Sequence, residues 1–415
     1  MYKIYFKQTI AMLKQNRLIS VISILGTALA IMMIMVIVMV QHITNVDMSP
    51  EINRSRMLYI KNFQQKSRDT INRSWNAGNL QYKNYKEYLS KIRIPEKTAF
   101  MGIDQQQVIL NVEGLKKAIT CSRQRTDGDF WKIMSFDFVE GKPFEEADYD
   151  AGLKKTVLTA ATARKLFGTS PATGKIIQIN RVPYTVVGVV RDVSPVFTFC
   201  GGDLFVPLTS IAGYKDTWGI MLILAGSRDD FENIKQEVRA AERSFEANNP
   251  EYTIHFGGPY DQRTQWDDVN SGQDVDESKS LKRMGLILAI LLLVPAVNLS
   301  SFSMSQIKKR SEEIGIRKAF GAKRHTILIQ VLFENLITSF IGGVIGLLLS
   351  YGGLLWLREW LLDIPADGTI PVGAFISPFV FFSVFAACVV LNLLSAGIPA
   401  LRMLRMNIVD SLKRK

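Results

Sequence analysis

Residue types that build catalytic and metal centres are scarce in this sequence, which has three cysteines and three histidines among 415 residues. His42, His255 and His325 lie far apart and show no ligand spacing, so we expect no metal site. Cys121 and Cys200 fall in the same large segment, where a disulfide and two separate buried thiols are both compatible with the sequence. Two separate thiols are the favoured alternative.

Three motifs of common enzyme classes are absent from the sequence: G-x-x-x-x-G-K-[ST], H-E-x-x-H and G-x-S-x-G. The chain therefore lacks a Walker-type phosphate-binding loop of its own and the signatures of zinc proteases and serine hydrolases. Its apolar runs hold no cluster of carboxylates or histidines, which argues against an ion-coupled carrier. These absences predict a chain that is not an enzyme and has no catalytic residue, metal or cofactor of its own.

The net charge of +12 comes from the parts of the chain that flank the apolar runs. Between Asp47 and Lys279 there are 31 basic and 31 acidic residues, whereas the remainder has 19 basic and 7 acidic ones. The basic residues form no face with interleaved aromatic side chains, so nucleic acid is not an expected partner. An excess of basic residues beside apolar runs is typical of membrane proteins.

Four apolar runs are long enough to cross a bilayer core, which takes roughly 20 residues. The sequence QHITNVD after the first run has no small-x-small cleavage site, so we predict a retained anchor rather than a signal peptide. The predicted transmembrane helices are residues 18–41, 284–304, 327–352 and 375–398.

The orientation of these helices follows from the charges beside them. Basic residues precede the first run, fill the loop at 305–326 and occupy the tail at 399–415, while the connection at 353–374 is mildly acidic. Because short cytoplasmic segments carry an excess of lysine and arginine, both termini and the 305–326 loop are predicted to be cytoplasmic. Residues 1–17 are apolar on one helical face and basic on the other, which favours an interfacial helix over a plain basic leader.

Residues 42–283 then form a domain outside the membrane that is large enough to bury its own core. The predicted strands are 107–112, 156–159, 175–180, 184–190, 204–208 and 251–256, and the predicted helices are 161–167 and 229–248. Strands mixed with helices without regular alternation are typical of an α+β fold. We therefore predict an α-helical membrane protein with four transmembrane helices plus a large α+β extracytoplasmic domain inserted between helices 1 and 2.

Two features of the third predicted span have alternative explanations. Glu334 is a lone acid there, either a hydrogen-bonded strut to a neighbouring helix or to the basic loop, or an interfacial acid that snorkels to the surface. Gly342 and Gly346 form a small-xxx-small face, which suits close helix packing within the chain as well as between two copies.

Several separated motifs carry a resemblance to a known family. They are EIGIRKAFGAKRHTILIQVLFEN in the central loop, FWKIMSFDFVEGKPFEEADYD, TVLTAATARKLFG and GKIIQINRVPYTVVGVVRDVS in the external segment, and IPALRMLRMNIVDSLKR at the end. Together they resemble the MacB/FtsX-type permease family of ABC transporters. The family order of one span, a large periplasmic core domain and three further spans matches the predicted topology.

The resemblance implies a permease subunit of the bacterial cytoplasmic (inner) membrane that works as a dimer with a second copy or a sibling permease. It also implies a separate cytoplasmic ABC ATPase subunit, which binds the ATP. In the family, the loop between the second and third spans contacts this ATPase. Carried over to this sequence, the contact residues are Glu313, Ile314, Gly315, Ile316, Arg317, Lys318, Gly321 and Ala322.

The expected function is to couple ATP hydrolysis by the partner to movement of the external domain. The resemblance is compatible with export, with extraction of lipoproteins or other lipids, and with regulation of an envelope partner, and it adds membrane lipid and a periplasmic adaptor to the candidate partners. The alternative is a membrane-anchored extracytoplasmic sensor or scaffold without an ATPase. A sensor has no need of a glycine-containing amphipathic loop between two spans, so the loop favours the permease.

Overall fold

The structure is a computed structural model, and it describes residues 2–15, 17–69, 71, 74–103, 106–112, 118–194, 197–267, 274–276, 278–279, 281–283, 285–290, 293, 297, 316, 320, 324–362 and 378–405. Within this part the chain divides into two compact units. Residues 1–43, 281–361 and 371–415 form what we call the helical unit, and residues 44–280 and 362–370 form the α+β unit.

The described helices and strands follow one another along the chain. The helices are α1 (Tyr2–Gln15), α2 (Arg17–Asn45), α3 (Tyr82–Glu87), α4 (Phe130–Ile133), α5 (Glu146–Asp150), α6 (Ala160–Phe167), α7 (Phe231–Asn248), α8 (Arg324–Leu362) and α9 (Pro378–Arg405). The strands are β1 (Met57–Ile60), β2 (Asn62–Ser67), β3 (Trp75–Gln81), β4 (Lys97–Gly102), β5 (Gln106–Asn111), β6 (Ile119–Thr126), β7 (Phe138–Gly141), β8 (Lys155–Thr159), β9 (Ile176–Ile179), β10 (Val182–Val190), β11 (Leu204–Pro207), β12 (Trp218–Leu224), β13 (Tyr252–Phe256) and β14 (Tyr260–Asp261).

Two described helices are long and apolar enough to cross a bilayer. The segments are Ser20–Ile43 within α2 and His325–Trp356 within α8, with 24 and 32 residues. At 1.5 Å per residue the shorter one spans about 36 Å, more than the roughly 30 Å of a hydrocarbon core. Only 35% and 39% of their most apolar windows are buried, whereas the core helix of a soluble protein is mostly buried. The exposed apolar side chains of α2 recur at helical spacing, as Leu18, Val21, Ile22, Leu25, Leu29 and Met33.

The other two predicted spans are described to different extents. Helix α9 covers most of the predicted span 375–398 and continues to Arg405, with Phe379 and Phe382 exposed on its surface. The predicted span 284–304 lies largely outside the described residues, although residues 285–290 are helical. The number of four transmembrane helices therefore stays a prediction.

Six strands of the α+β unit close into a small barrel. Their order is β11-β8-β10-β9-β5-β6, and a parallel pairing of β11 with β6 closes the circle. Alternate side chains point inward, so Val108, Cys121, Ile177 and Val186 share one buried core. Helix α6 adds its own apolar side chains to this core. The barrel is thus a packed body with a filled interior.

A second sheet continues from the barrel and has its own core. Its order is β4-β12-β3-β2-β13, and it joins the barrel where Met101 of β4 lies opposite Thr126 of β6. Helix α7 packs its buried Ile234 and Val238 against this sheet, together with aromatic residues of α3. An antiparallel partner for β12 comes from β1, the strand next to the start of the unit.

The strands and helices predicted in this unit are confirmed as β5, β8, β9, β10, β11, β13, α6 and α7, with ends that differ by one or two residues. Helix α6 ends before Gly168, whose φ of +64° is unfavourable for other residues. Strands β1, β2 and β3 lie before Tyr88, in a stretch for which no strand was predicted. Strands β4, β6, β7, β12 and β14 were also missed.

Candidate functional site: the chain connections and the coupling segment

The predicted coupling residues lie mostly outside the part that the structure describes. Ile316 is described, and its carbonyl oxygen accepts a hydrogen bond from the backbone N–H of Phe320 at 3.1 Å, as in one turn of helix. Both side chains are exposed apolar groups. The remaining members of the set are outside the described residues: Glu313, Ile314, Gly315, Arg317, Lys318, Gly321 and Ala322.

The glycine face of α8 packs closely against α2. A Cβ atom added to Gly342 would lie 3.0 Å from the side chain of Thr27, and one added to Gly346 would lie 2.7 Å from the carbonyl oxygen of Ala28. Contacts this short leave no room for a larger residue. The two helices of one chain therefore approach each other at their backbones, as small-xxx-small faces allow.

Glu334 lies on a buried polar row of α8. Its exposed fraction is 6%, and its Oε1 atom accepts a hydrogen bond from Nε2 of Gln330 at 3.1 Å. Its carbonyl oxygen accepts one from the Thr338 hydroxyl at 3.0 Å. Burial favours a hydrogen-bonded Glu334 over an acid that snorkels to the surface. The hydrogen bond from Gln330 to the carboxylate lies along α8 itself, because Gln330 is one turn before Glu334.

A buried ion pair follows directly after α2, in a segment that we call the first connection (residues 46–56). Nε of Arg54 lies 2.6 Å from Oε2 of Glu51, with side chains exposed by 0% and 2%. The Arg54 guanidinium also lies 4.7 Å from the centre of the Phe197 ring, and it donates to the carbonyl oxygen of Val46. Burial raises the pKa of Glu51, while Arg54 and a hydrogen bond from the Phe199 backbone act in the other direction.

Backbone and hydroxyl hydrogen bonds fix the first connection at a second point. The Ser135 N–H donates to the carbonyl oxygen of Pro50 at 2.7 Å, and the Ser49 hydroxyl donates to the carbonyl oxygen of Ser135 at 2.9 Å. The Asp47 carboxylate accepts from the Ser55 N–H and hydroxyl. The connection is therefore built into the α+β unit rather than lying on its surface.

The segment that leads back toward the helical unit is held by different chemistry. We call residues 274–276 the second connection. Oδ1 of Asp274 lies 2.8 Å from Nε2 of His255 and accepts a hydrogen bond from the Tyr260 hydroxyl at 2.9 Å. The N–H of Val275 donates to the same hydroxyl oxygen at 3.1 Å. On the other side of the imidazole, Nδ1 lies 3.0 Å from Oε1 of Glu242.

The charges around His255 shift its titration. The hydrogen bond with Glu242 is the main reason that the pKa of His255 is raised, and Asp274 adds to it against the effect of partial burial. Burial works to raise the pKa of Asp274, but the hydrogen bond and charge of His255 outweigh it, and the net direction is downward. Arg239 of α7 completes the group, with Nη1 2.9 Å from Oε1 of Glu242 and 2.7 Å from Nδ1 of His255.

Neither connection was predicted from the sequence. Glu51 and Arg54 are three residues apart, a spacing that suits an ion pair, but nothing in the sequence marks that pair as buried. Glu242, His255 and Asp274 come together through the pairing of β13 with β2 and the packing of α7, which are contacts between distant parts of the chain. The prediction of two separate thiols in place of a disulfide is confirmed, since Cys121 and Cys200 are both buried free thiols.

Two protein families match the chain in consecutive parts. Residues 20–241 match the family described as MacB-like periplasmic core domain, which is more than half of the chain. Residues 285–408 match the family described as FtsX-like permease C-terminal.

Curated proteins that are named as ABC transporter permeases are similar to the chain over part of its length. The chain is 25% identical over 228 residues to the "Uncharacterized ABC transporter permease YknZ" of Bacillus subtilis (strain 168), covering 54% of this chain and 55% of that one. It is 25% identical over 293 residues to the "Macrolide export ATP-binding/permease protein MacB" of Chromobacterium violaceum, covering 69% of this chain and 42% of that one. The chain thus spans about half the length of the curated relatives it matches.

Solved structures of similar domains also match. One is the periplasmic region of MacB from Actinobacillus actinomycetemcomitans, at 18% identity and a TM-score of 0.34, covering 47% of this chain and 88% of that one. Another is the extracellular domain of the transporter YknZ from Gram-positive bacteria, at 14% identity and a TM-score of 0.36, covering 48% and 99%.

Proposed function

The chain belongs to the MacB/FtsX-type family of ABC transporter permeases, and from that membership we propose that it works by mechanotransmission, moving its α+β unit in response to a separate cytoplasmic ATPase. Family membership makes it a transport subunit rather than an enzyme. What we propose is the coupling of ATP hydrolysis to movement of the α+β unit, the separate ATPase as partner, and the kind of cargo.

The first connection carries this proposal. A helix can move a domain only if the link between them does not yield. Here the residues that follow α2 are held by a buried ion pair and by backbone hydrogen bonds inside the α+β unit. Breaking one partner of such a pair costs about 3–5 kcal/mol, because the other charge stays buried without compensation. Displacement of α2 is therefore expected to displace the start of β1 with it.

The ATPase is proposed to act on the basic loop at 305–326. This loop and both termini are assigned to the cytoplasm on their charge, and residues 42–283 to the opposite side. ATP-driven closure of two ATPase subunits would favour one spacing of the two loops in a permease dimer, and rigid-body motion of the helices would follow. In this proposal the contact is made by Glu313, Gly315, Arg317 and their predicted neighbours.

A permease without a central pore fits the composition of the spans. The described apolar helices expose apolar side chains, and their buried polar groups form short hydrogen-bonded rows such as Gln330, Glu334 and Thr338. The cargo or partner is then handled by the α+β unit, in export, in extraction of a lipoprotein or lipid, or in regulation of an envelope protein. The name of one relative assigns macrolide export to that protein, and the chain covers 42% of its length.

Purification of the tagged full chain from its host in mild detergent tests the proposal. We expect a stoichiometric ABC ATPase to copurify, and we expect Glu313→Lys to abolish its recovery while membrane insertion is unchanged. Glu312→Lys is the matched control, because it makes the same change of charge one residue away and is expected to retain the ATPase. Folded chain without any ATPase would refute the proposal and support the membrane-anchored sensor.

A further inference from the structure

The two ends of the barrel are closed in different ways. At one end α6 supplies Ala163 and Leu166 to the apolar core. At the other end, where β8 and β10 begin, polar and charged side chains take their place. We call this group the barrel mouth, and it consists of Gln106, Arg123, Lys154, Tyr184 and Ser210. Mouths of β-barrels are common positions for small-ligand sites.

Arg123 is the innermost charge of the barrel mouth. It lies two residues after Cys121 on β6, so both side chains are on the inner face, and its exposed fraction is 7%. One guanidinium nitrogen donates to Oε1 of Gln106 at 2.7 Å. Its buried Nε atom has no hydrogen-bond partner among the described residues, and no described carboxylate forms an ion pair with it. Burial lowers the pKa of Arg123, as expected for a cation removed from water.

A second cation and two hydroxyls complete the rim. Nζ of Lys154 lies 5.6 Å from the centre of the Tyr184 ring and donates to the carbonyl oxygen of Ser210 at 3.3 Å. The Tyr184 hydroxyl lies 3.1 Å from Oγ of Ser210. Lys154 also lacks an ion pair with any described carboxylate. The mouth therefore holds two cations, and neither of them forms an ion pair with a described carboxylate.

A buried guanidinium without a negative partner lowers the stability of the folded domain. Binding of an anion next to it would therefore stabilise the domain. Arginine suits planar oxyanions, since its N–H groups form a fork that matches a carboxylate or a phosphate. We propose that the barrel mouth binds the oxyanion group of a small soluble ligand, a carboxylate or a phosphate, with Arg123 as its main contact and Lys154 at the rim.

Amide hydrogen exchange of the full chain in an uncharged detergent tests this site. Sodium phosphate and sodium acetate are compared with sodium chloride at equal ionic strength, and exchange is followed in β5, β6 and β10. We expect one of the two oxyanions to slow exchange in these strands in a saturable manner, by about tenfold when it is ten times above its Kd. The salt that acts identifies the group as a carboxylate or a phosphate.

Two variants separate an oxyanion site from a structural arginine. Arg123→Met is expected to exchange more slowly than the parent chain in chloride, because an apolar side chain removes the uncompensated charge, and to lose the response to the oxyanion. Lys165→Met removes an exposed charge from α6 at the other end of the barrel and is expected to keep the response. The proposal is overturned if neither oxyanion protects the parent chain, or if Arg123→Met exchanges faster in chloride and responds as the parent does.

Discussion

The two connections of the α+β unit are built on opposite principles. In the first connection, Arg54 and Glu51 are exposed by 0% and 2%, and a ring and a thiol cover them. At the second connection, the exposed fractions of Asp274 and of its partner His255 in β13 are 59% and 30%. An ion pair in water contributes roughly 0–1 kcal/mol, whereas loss of one partner from a buried pair costs about 3–5 kcal/mol. We therefore call the first connection the fixed connection and the second connection the adjustable connection of the α+β unit.

The largest expected effect comes from breaking the fixed connection. Glu51→Gln leaves the Arg54 guanidinium buried without a negative partner, and we expect the free energy of unfolding of the α+β unit to fall by about 3–5 kcal/mol. Urea unfolding of the full chain in detergent, followed by tryptophan fluorescence, measures the change. The Glu51→Gln chain should still insert into the membrane, since its apolar helices are untouched.

A double variant shows whether the loss comes from the uncompensated charge. In Glu51→Leu/Arg54→Met both charges are replaced by apolar side chains of similar size, and we expect most of the stability to return. A single variant that loses less than about 1 kcal/mol would mean that water reaches the pair, and the contrast between the two connections would then disappear.

A smaller effect is expected from the helix contact that precedes the first connection. Gly346→Ala adds a methyl group that ideal geometry places 2.7 Å from the Ala28 carbonyl oxygen, so α8 and α2 must move apart. We expect a loss of about 1–3 kcal/mol, typical of overpacking, in thermal unfolding of the full chain. Gly353→Ala in the same helix is the control, because no described atom lies within 4 Å of its added methyl group. Equal stability of the two variants would show that α2 is not held by the glycine face.

The sequence predicts those helices and strands whose apolar spacing is visible within a single segment of the chain. Helix α7 has apolar residues at helical spacing and is followed two residues later by Pro250, and β10 is a long run of β-branched residues, so both could be predicted. Strands β2 and β3 could not, because NFQQKS and WNAGNLQ have weak strand propensity and form through antiparallel pairing with each other. Strand β12 reads WGIMLIL and was missed although its apolar run is clear.

The candidate site residues also divide into those that a local sequence pattern shows and those that depend on contacts between distant residues. The coupling residues come from a contiguous motif, which a sequence shows directly. The two connections depend on burial and on contacts between residues far apart in the chain, such as Asp274 with Tyr260 and Glu51 with Cys200. Neither the exposed fraction of a side chain nor a partner 149 residues away is visible in a linear pattern.

The adjustable connection is expected to respond to pH. His255 faces Glu242 and Arg239 of α7, Asp274 and Tyr260, and it lies opposite Gln64 of β2. Its pKa is raised above the ordinary 6.5, so its contribution to stability is complete below about pH 6.5 and is lost as the pH rises through the folded-state pKa. The pKa of Asp274 is lowered from 3.8, so its contribution is present above that pH and is lost only in stronger acid.

The contact between His255 and Asp274 should therefore be strongest between about pH 4 and 6.5 and should weaken as the solution becomes alkaline. The Val275 amide, which donates to the Tyr260 hydroxyl, reports on it through hydrogen exchange corrected for the intrinsic effect of pH. We expect its protection to fall as the pH rises above about 6.5 through the raised folded-state pKa of His255, and Asp274→Asn to remove this dependence. His325→Gln, in α8, should leave it unchanged. Protection that stays constant over this range would show that the second connection is as fixed as the first.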